Sequence, residues 1–234
     1  MAQRLLNKVA VVTGASGAWG PAIVQKFLGE GAKVVVFGRN RGPLDELAAI
    51  TPARVLVVEG DVTQADDLED LVDTTVRRFG TVDVLVPAAA ILRQASLEKC
   101  TPEFVSEIFA VNLQGALQTV RAFDRHVNSG GSIVFVTTFA GPTSIAGLGP
   151  FGASKAALTS LARTLAVELS PRGIRVNCIA PAIQLPERAE SRPAKLAPKR
   201  AEQVAEAALF LASDGAAGIS GQELVVDAST SPAA

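Results

Sequence analysis

No tyrosine occurs among the 234 residues, so no phenol oxygen is available to carry a proton anywhere in the chain. Methionine, tryptophan and histidine occur once each and cysteine twice. Cys100 and Cys178 stand singly in segments that read as loop and strand, which excludes a disulfide framework and a cysteine-based metal site and fits reduced thiols. His126 lies at the end of a helical pattern, before Asn128-Ser129-Gly130-Gly131, where it suits a helix C-terminus better than catalysis. No apolar run approaches the roughly 20 residues of a membrane span, and Met1 to Lys8 lack the apolar centre of a signal peptide. Formal net charge is −1 with the Lys and Arg residues scattered, which argues against nucleic-acid or anionic-membrane partners. A soluble, cytoplasmic protein that meets small molecules or copies of itself is expected.

What the chain does have is apolar content, 48% of its residues, enough for one well-buried core and a single domain over 1–234. Short β-branched runs alternate with longer amphipathic stretches, the pattern of a parallel sheet flanked by helices. Strands are predicted at 9–12, 33–37, 54–58, 82–86, 132–136, 175–179 and 223–226, nearly continuous in Val and Leu and hence buried on both faces. Helices are predicted at 19–30, 102–126, 150–169 and 201–212. The result is an α/β fold, a single-domain doubly wound, Rossmann-type sheet of seven parallel strands with helices on both faces. A Pro- and Ala-rich stretch within 181–203 reads as a short lid, and 228–234 as a frayed tail.

After the first strand comes Thr13-Gly14-Ala15-Ser16-Gly17-Ala18-Trp19-Gly20, a turn of small residues opening a helix. Such a turn brings backbone N–H groups and a helix N-terminus close to a pyrophosphate. With it stand Gly60-Asp61-Val62, Asp83-Val84-Leu85-Val86, Val111-Asn112-Leu113, Arg175-Val176-Asn177-Cys178-Ile179-Ala180-Pro181 and Val225-Val226-Asp227. Together these landmarks resemble the short-chain dehydrogenase/reductase family over essentially the whole chain, as a divergent member lacking the catalytic tyrosine. Phe151-Gly152-Ala153-Ser154-Lys155 reads as that family's Tyr-x-x-x-Lys with the phenol oxygen removed.

The resemblance implies a nicotinamide-nucleotide site made by Gly14, Ser16, Trp19, Gly20, Arg39, Asp61, Val62, Ala88, Lys155 and Ile183. Arg39 beyond the second strand, with no acid at Gly38, favours the 2′-phosphate of NADP(H) over a bare ribose. It implies chemistry carried by Asn112, Thr138 in place of serine, and Lys155, with Phe151 at the proton donor's position. Several positions depart from the pattern. Ala18 replaces a glycine, raising the question of whether its backbone needs φ > 0. Pro87-Ala88-Ala89-Ala90 replaces Asn-Asn-Ala-Gly, and Ala182 stands where glycine follows proline. Binding of NADP(H) is therefore open between retained and lost. The function is open between a repurposed non-redox enzyme or non-catalytic subunit and a working NADPH-dependent carbonyl reductase or alcohol dehydrogenase in which Lys155, Thr138 and a water replace the phenol. Expected partners are a small molecule with a carbonyl or hydroxyl group and a second copy in a homo-dimer or homo-tetramer, or an active relative. The helices of Asn112 and Phe151 form the family's dimer contacts, but the stripe Leu158, Leu161, Leu165 and Leu169 serves a core equally well. No metal site is expected.

Overall fold

The computed structural model describes residues 3–139, 145–182 and 198–227. Seven parallel strands form one sheet in the order β3-β2-β1-β4-β5-β6-β7. They are β1 (Val9–Thr13), β2 (Lys33–Gly38), β3 (Val55–Glu59), β4 (Val82–Pro87), β5 (Val127–Val136), β6 (Arg175–Pro181) and β7 (Glu223–Val226). Seven helices cover it: α1 (Gly20–Gly29), α2 (Arg41–Ile50), α3 (Ala65–Phe79), α4 (Pro102–Phe109), α5 (Ala116–Phe123), α6 (Gly149–Glu168) and α7 (Pro198–Ala212). The chain winds outward through β2 and β3, returns to β4 beside β1, and continues the other way. That reversal opens a crevice at the strands' C-terminal ends.

Each strand serves two cores, because successive side chains leave opposite faces. Ala10 and Val12 pack with α1, α2 and α7, through residues such as Phe27, Leu44 and Leu209. Val9 and Val11 pack with α3, α5 and α6, through Leu71, Phe123 and Leu158. Leu165 is buried in this second core, and Leu161 and Leu169 pack half-buried against it. The α6 stripe is thus core.

Three boundaries differ from expectation. The predicted helix 102–126 is interrupted by a π-helical turn, Ala110–Gly115, and ends at Phe123. Gly115 packs against Val62 so closely that a Cβ would lie 2.6 Å from the Val62 Cγ2. His126 lies in the turn that follows, where its N–H closes onto the Phe123 carbonyl and its carbonyl accepts from the Val82 N–H, both at 2.8 Å. β5 starts at Val127 instead of Ser132, because a register shift opposite Val82 and Val84 and the paired glycines 130 and 131 let it bulge and still pair. The lid also ends earlier: 198–203 is the start of α7.

Candidate active site

The turn after β1 lies at the sheet's reversal point. Gly14 has φ +63°, and a Cβ there would lie 2.5 Å from the Ala89 Cα; a Cβ on Gly20 would lie 2.3 Å from the Ala15 carbonyl oxygen. Only glycine fits either place. Ala18 raises no such conflict, since Asn7 is the one described non-glycine residue with positive φ. The turn thus accepts alanine in an ordinary backbone conformation, with the residue exposed where its methyl borders the approach to the phosphates. Helix α1 begins behind Trp19 with no side-chain cap, which leaves its first N–H groups available to an anion. Trp19 is half-buried and packs against the α1/α7 core, so its ring is at least partly a packing element.

At the head of β2, the Ser16 hydroxyl lies beside Gly38, 3.4 Å from where a Cβ would stand. Arg39 follows, largely exposed, with a guanidinium nitrogen 3.9 Å from the Asp61 carboxylate. Asp61 also accepts from the Thr63 N–H and hydroxyl, both at 2.9 Å, which fixes the turn after β3. Val62 is buried beneath the π-helical turn. It also floors an outer groove of about 930 Å³ between α3 and α5, whose lining mixes apolar residues such as Leu68 and Val72 with Glu69, Asp73, Gln118 and Arg121. Ala88 donates its N–H to the Thr13 carbonyl at 3.2 Å. Next to it, Pro87 sits in register with Thr13, whose buried hydroxyl has no partner among the described residues.

The chemical end converges on α6. Asn112 is fully buried, and its Oδ1 accepts from the Ile91 N–H at 2.8 Å. Its Nδ2 donates to the Ile91 carbonyl and to Ser154 Oγ, each at 3.1 Å. Both amide protons are thus committed to joining the π-helical turn, the β4 exit and α6. Ser154 Oγ in turn donates to the Phe151 carbonyl at 2.7 Å. Phe151 is 5% exposed, with its ring centroid 6.0 Å from the Lys155 Nζ. Thr138, half-buried, donates its hydroxyl to the Pro181 carbonyl at 3.2 Å and keeps lone pairs for a further donor.

Lys155 is 4% exposed and donates to the Val136 carbonyl at 2.7 Å. Among the described residues this is the ammonium's single acceptor, although it has three protons to give. Burial pushes its pKa from 10.5 down to about 8. Cys178 on β6 lies nearby, its thiol pushed up to about 12, chiefly by burial and then by Glu223. Sequence reasoning did not find Ser154, Ile91 or Val136 as partners of the site, nor the Glu223 cluster described below. Ile183, expected at the cofactor, lies outside the described residues. No cluster of metal-ligating side chains and no helix long and apolar enough to cross a membrane occurs among the described residues.

The described residues therefore fit a nicotinamide nucleotide: an uncapped helix start, two obligatory glycines, an exposed guanidinium in a loose pair with Asp61, and a buried ammonium with undonated protons. The chain is similar to known proteins over its whole length. A family model described as "Enoyl-(Acyl carrier protein) reductase" matches residues 14–229. The chain is 34% identical to human dehydrogenase/reductase SDR family member 4, over 97% of this chain and 88% of that protein. It is 33% identical to the 3-oxoacyl-[acyl-carrier-protein] reductase FabG of Thermotoga maritima, over 96% and 98%. Among solved structures, it superposes on a short-chain dehydrogenase/reductase from Brucella melitensis with a TM-score of 0.88 and 28% identity, covering 100% of both chains. The chain belongs to the short-chain dehydrogenase/reductase family of oxidoreductases.

Proposed function

We propose that this protein binds NADP(H) and that its ordinary carbonyl-reduction step is impaired or replaced. The observation that carries the reading is the buried Phe151 ring beside the Lys155 ammonium, where the family pattern sets a phenol. In this reading Gly14, Ser16, Gly20 and the α1 N-terminus hold the pyrophosphate, with Trp19 at the helix start. Arg39 meets the 2′-phosphate, Asp61, Val62 and Ala88 border the adenosine, and Lys155 and Ile183 serve the nicotinamide half. A bound NADPH supplies a hydride. The chain's own part is to orient a carbonyl through the Thr138 hydroxyl and to provide a proton, and the second task has no phenol to perform it.

A working reductase is the second reading, favoured by Lys155 itself. An ammonium with a pKa near 8 and undonated protons can give one to the substrate oxygen, directly or through a water shared with Thr138, and recover it from solvent. Asn112 contributes less than expected here, because its amide is engaged in bracing the helices. A non-redox use of Thr138 and Lys155 and a non-catalytic subunit are variants of the first reading. Assembly with a second copy is part of the same proposal.

Titration of wild type and Phe151→Tyr with NADPH, followed by assay of both on a ketone panel, separates these readings. The expected result is binding by both proteins and reduction by the variant alone, a gain of about 10²–10⁴ in rate. Ordinary reduction rates in the wild type would overturn the first reading; absence of NADPH binding by either protein would overturn the working reductase and leave, of the first reading, only its non-redox and non-catalytic variants.

A further inference from the structure

Glu223, the first residue of edge strand β7, is exposed to solvent, yet its carboxylate also bonds threonines of two other elements. In register it stands opposite Cys178 on β6, which stands opposite Phe135 on β5, so all three side chains share the α6 face of the sheet. From there Glu223 spans the neighbouring strand. Its Oε1 accepts from the Thr137 hydroxyl at the end of β5 at 2.9 Å and from the Thr159 hydroxyl of α6 at 2.8 Å. Thr137 has a second acceptor, the Ile179 carbonyl at 3.0 Å, but only one proton. The carboxylate forms the stronger, charge-assisted bond.

Both threonines adjoin the site. Thr137 shares a peptide unit with Val136, whose carbonyl receives the Lys155 ammonium, and immediately precedes Thr138. Thr159 lies one helical turn beyond Lys155, with its hydroxyl also 3.2 Å from the Lys155 carbonyl. We propose that Glu223 is a positioning residue for Lys155 and Thr138: it clamps α6 to the end of β5 and so holds the Lys155 amine against the Val136 carbonyl. Separating the helix from the strand end by one water diameter would break the bond from Lys155 to the Val136 carbonyl and hydrate the ammonium, which has no acid at hydrogen-bond distance among the described residues. The titratable and charged groups around the clamp are Lys155 and Arg163 from α6, Cys178 from β6 and Glu223 from β7.

The inference rests on Lys155 being the titrating group of the site, but its test needs neither cofactor nor substrate. Competitive acetylation of the folded protein with limiting acetic anhydride, from neutral to alkaline pH, gives a titration midpoint for Lys155 by peptide mass spectrometry. Wild type is expected to titrate near 8. Glu223→Ala should move the midpoint up by about one pH unit or more, toward the lysine value of 10.5. Glu223→Gln, which keeps an acceptor for both hydroxyls, should stay near wild type. Thr159→Val removes one arm of the clamp at nearly constant shape and should shift the midpoint in the same direction, which carries the test should Glu223→Ala fold poorly. A loss of global stability alone leaves a native-state midpoint in place. The proposal is overturned if wild-type Lys155 titrates as an ordinary lysine, if Glu223→Ala and Thr159→Val leave the midpoint unchanged, or if Glu223→Gln moves it as far as alanine does. Failure of NADPH binding would leave these results intact.

Discussion

Lys155 donates to the Val136 carbonyl at 2.7 Å from a position almost closed to solvent, and this one bond does not replace the hydration its ammonium gives up. Below pH about 8 the amine is charged in both folded and unfolded chains, and the folded state bears the desolvation cost. Between about 8 and 10.5 the folded chain has released this proton while the unfolded chain still holds it, so stability rises with pH. Above 10.5 both forms are neutral and the gain levels off. The interval corresponds to roughly 3 kcal/mol. Because the Cys178 thiol, raised from 9 to about 12, lowers stability over an overlapping interval, the Lys155 gain is read in urea denaturation as the difference between wild type and Lys155→Met, which should move in favour of wild type from pH about 8 to 10.5. Parallel pH curves for the two proteins would sink the prediction.

Asn112 was expected to take part in chemistry, yet its carboxamide makes three hydrogen bonds to Ile91 and Ser154 in a fully buried place. Asn112→Ala leaves the Ile91 N–H and carbonyl without those partners. Buried groups stripped of partners cost about 1–3 kcal/mol each. The variant should therefore lose roughly 2–4 kcal/mol of stability in chemical denaturation, before any activity is considered. A variant as stable as wild type would show that the bracing is dispensable.

The legibility of these features differs for physical reasons. β1, β2 and β4 announce themselves because strands buried on both faces need unbroken runs of Val and Leu, and Gly14 and Gly20 because the turn tolerates no other side chain. The helices α2 and α3 were not delimited. α2 buries only Leu44 and Leu47 and opens with Gly42-Pro43, which mimics a turn. α3 did carry a signal, Leu68, Leu71, Val72 and Thr75 at helical spacing, within a strongly charged segment. The π-helical turn had no such signal, since its cause is tertiary: Gly115 against Val62 and Asn112 reaching two other elements. The Glu223 clamp is hidden for the same reason, joining residues 86 and 64 positions apart.

Thr13 and Pro87 supply a third test. Their register brings a buried hydroxyl beside a residue with no N–H, and the hydroxyl finds no partner among the described residues. Removing an unsatisfied buried hydroxyl while keeping its shape is favourable. Thr13→Val should raise stability by about 1 kcal/mol, read as a higher urea midpoint at unchanged slope. A loss of stability would mean that the hydroxyl has a role this arrangement does not reveal.

Arg39 decides the cofactor in the proposed reading, and its environment sets how strongly. The guanidinium is 64% exposed and 3.9 Å from Asp61, a surface pair contributing at most about 1 kcal/mol, so a phosphate can take the guanidinium over at little cost. A charge-assisted bond to a 2′-phosphate contributes about 1.5–3 kcal/mol, which is roughly tenfold or more in affinity. Arg39→Ala should therefore weaken NADPH binding by at least about tenfold and leave NADH binding nearly unchanged. The chain provides its own reporter. Trp19 is the only tryptophan, no tyrosine competes with its emission, and it stands at the start of α1 beside the proposed pyrophosphate site, so its emission should respond to a bound nucleotide. Titrating Trp19 emission with each nucleotide measures both affinities in one protein. Equal weakening for NADPH and NADH would show that Arg39 supports the turn without reading the phosphate.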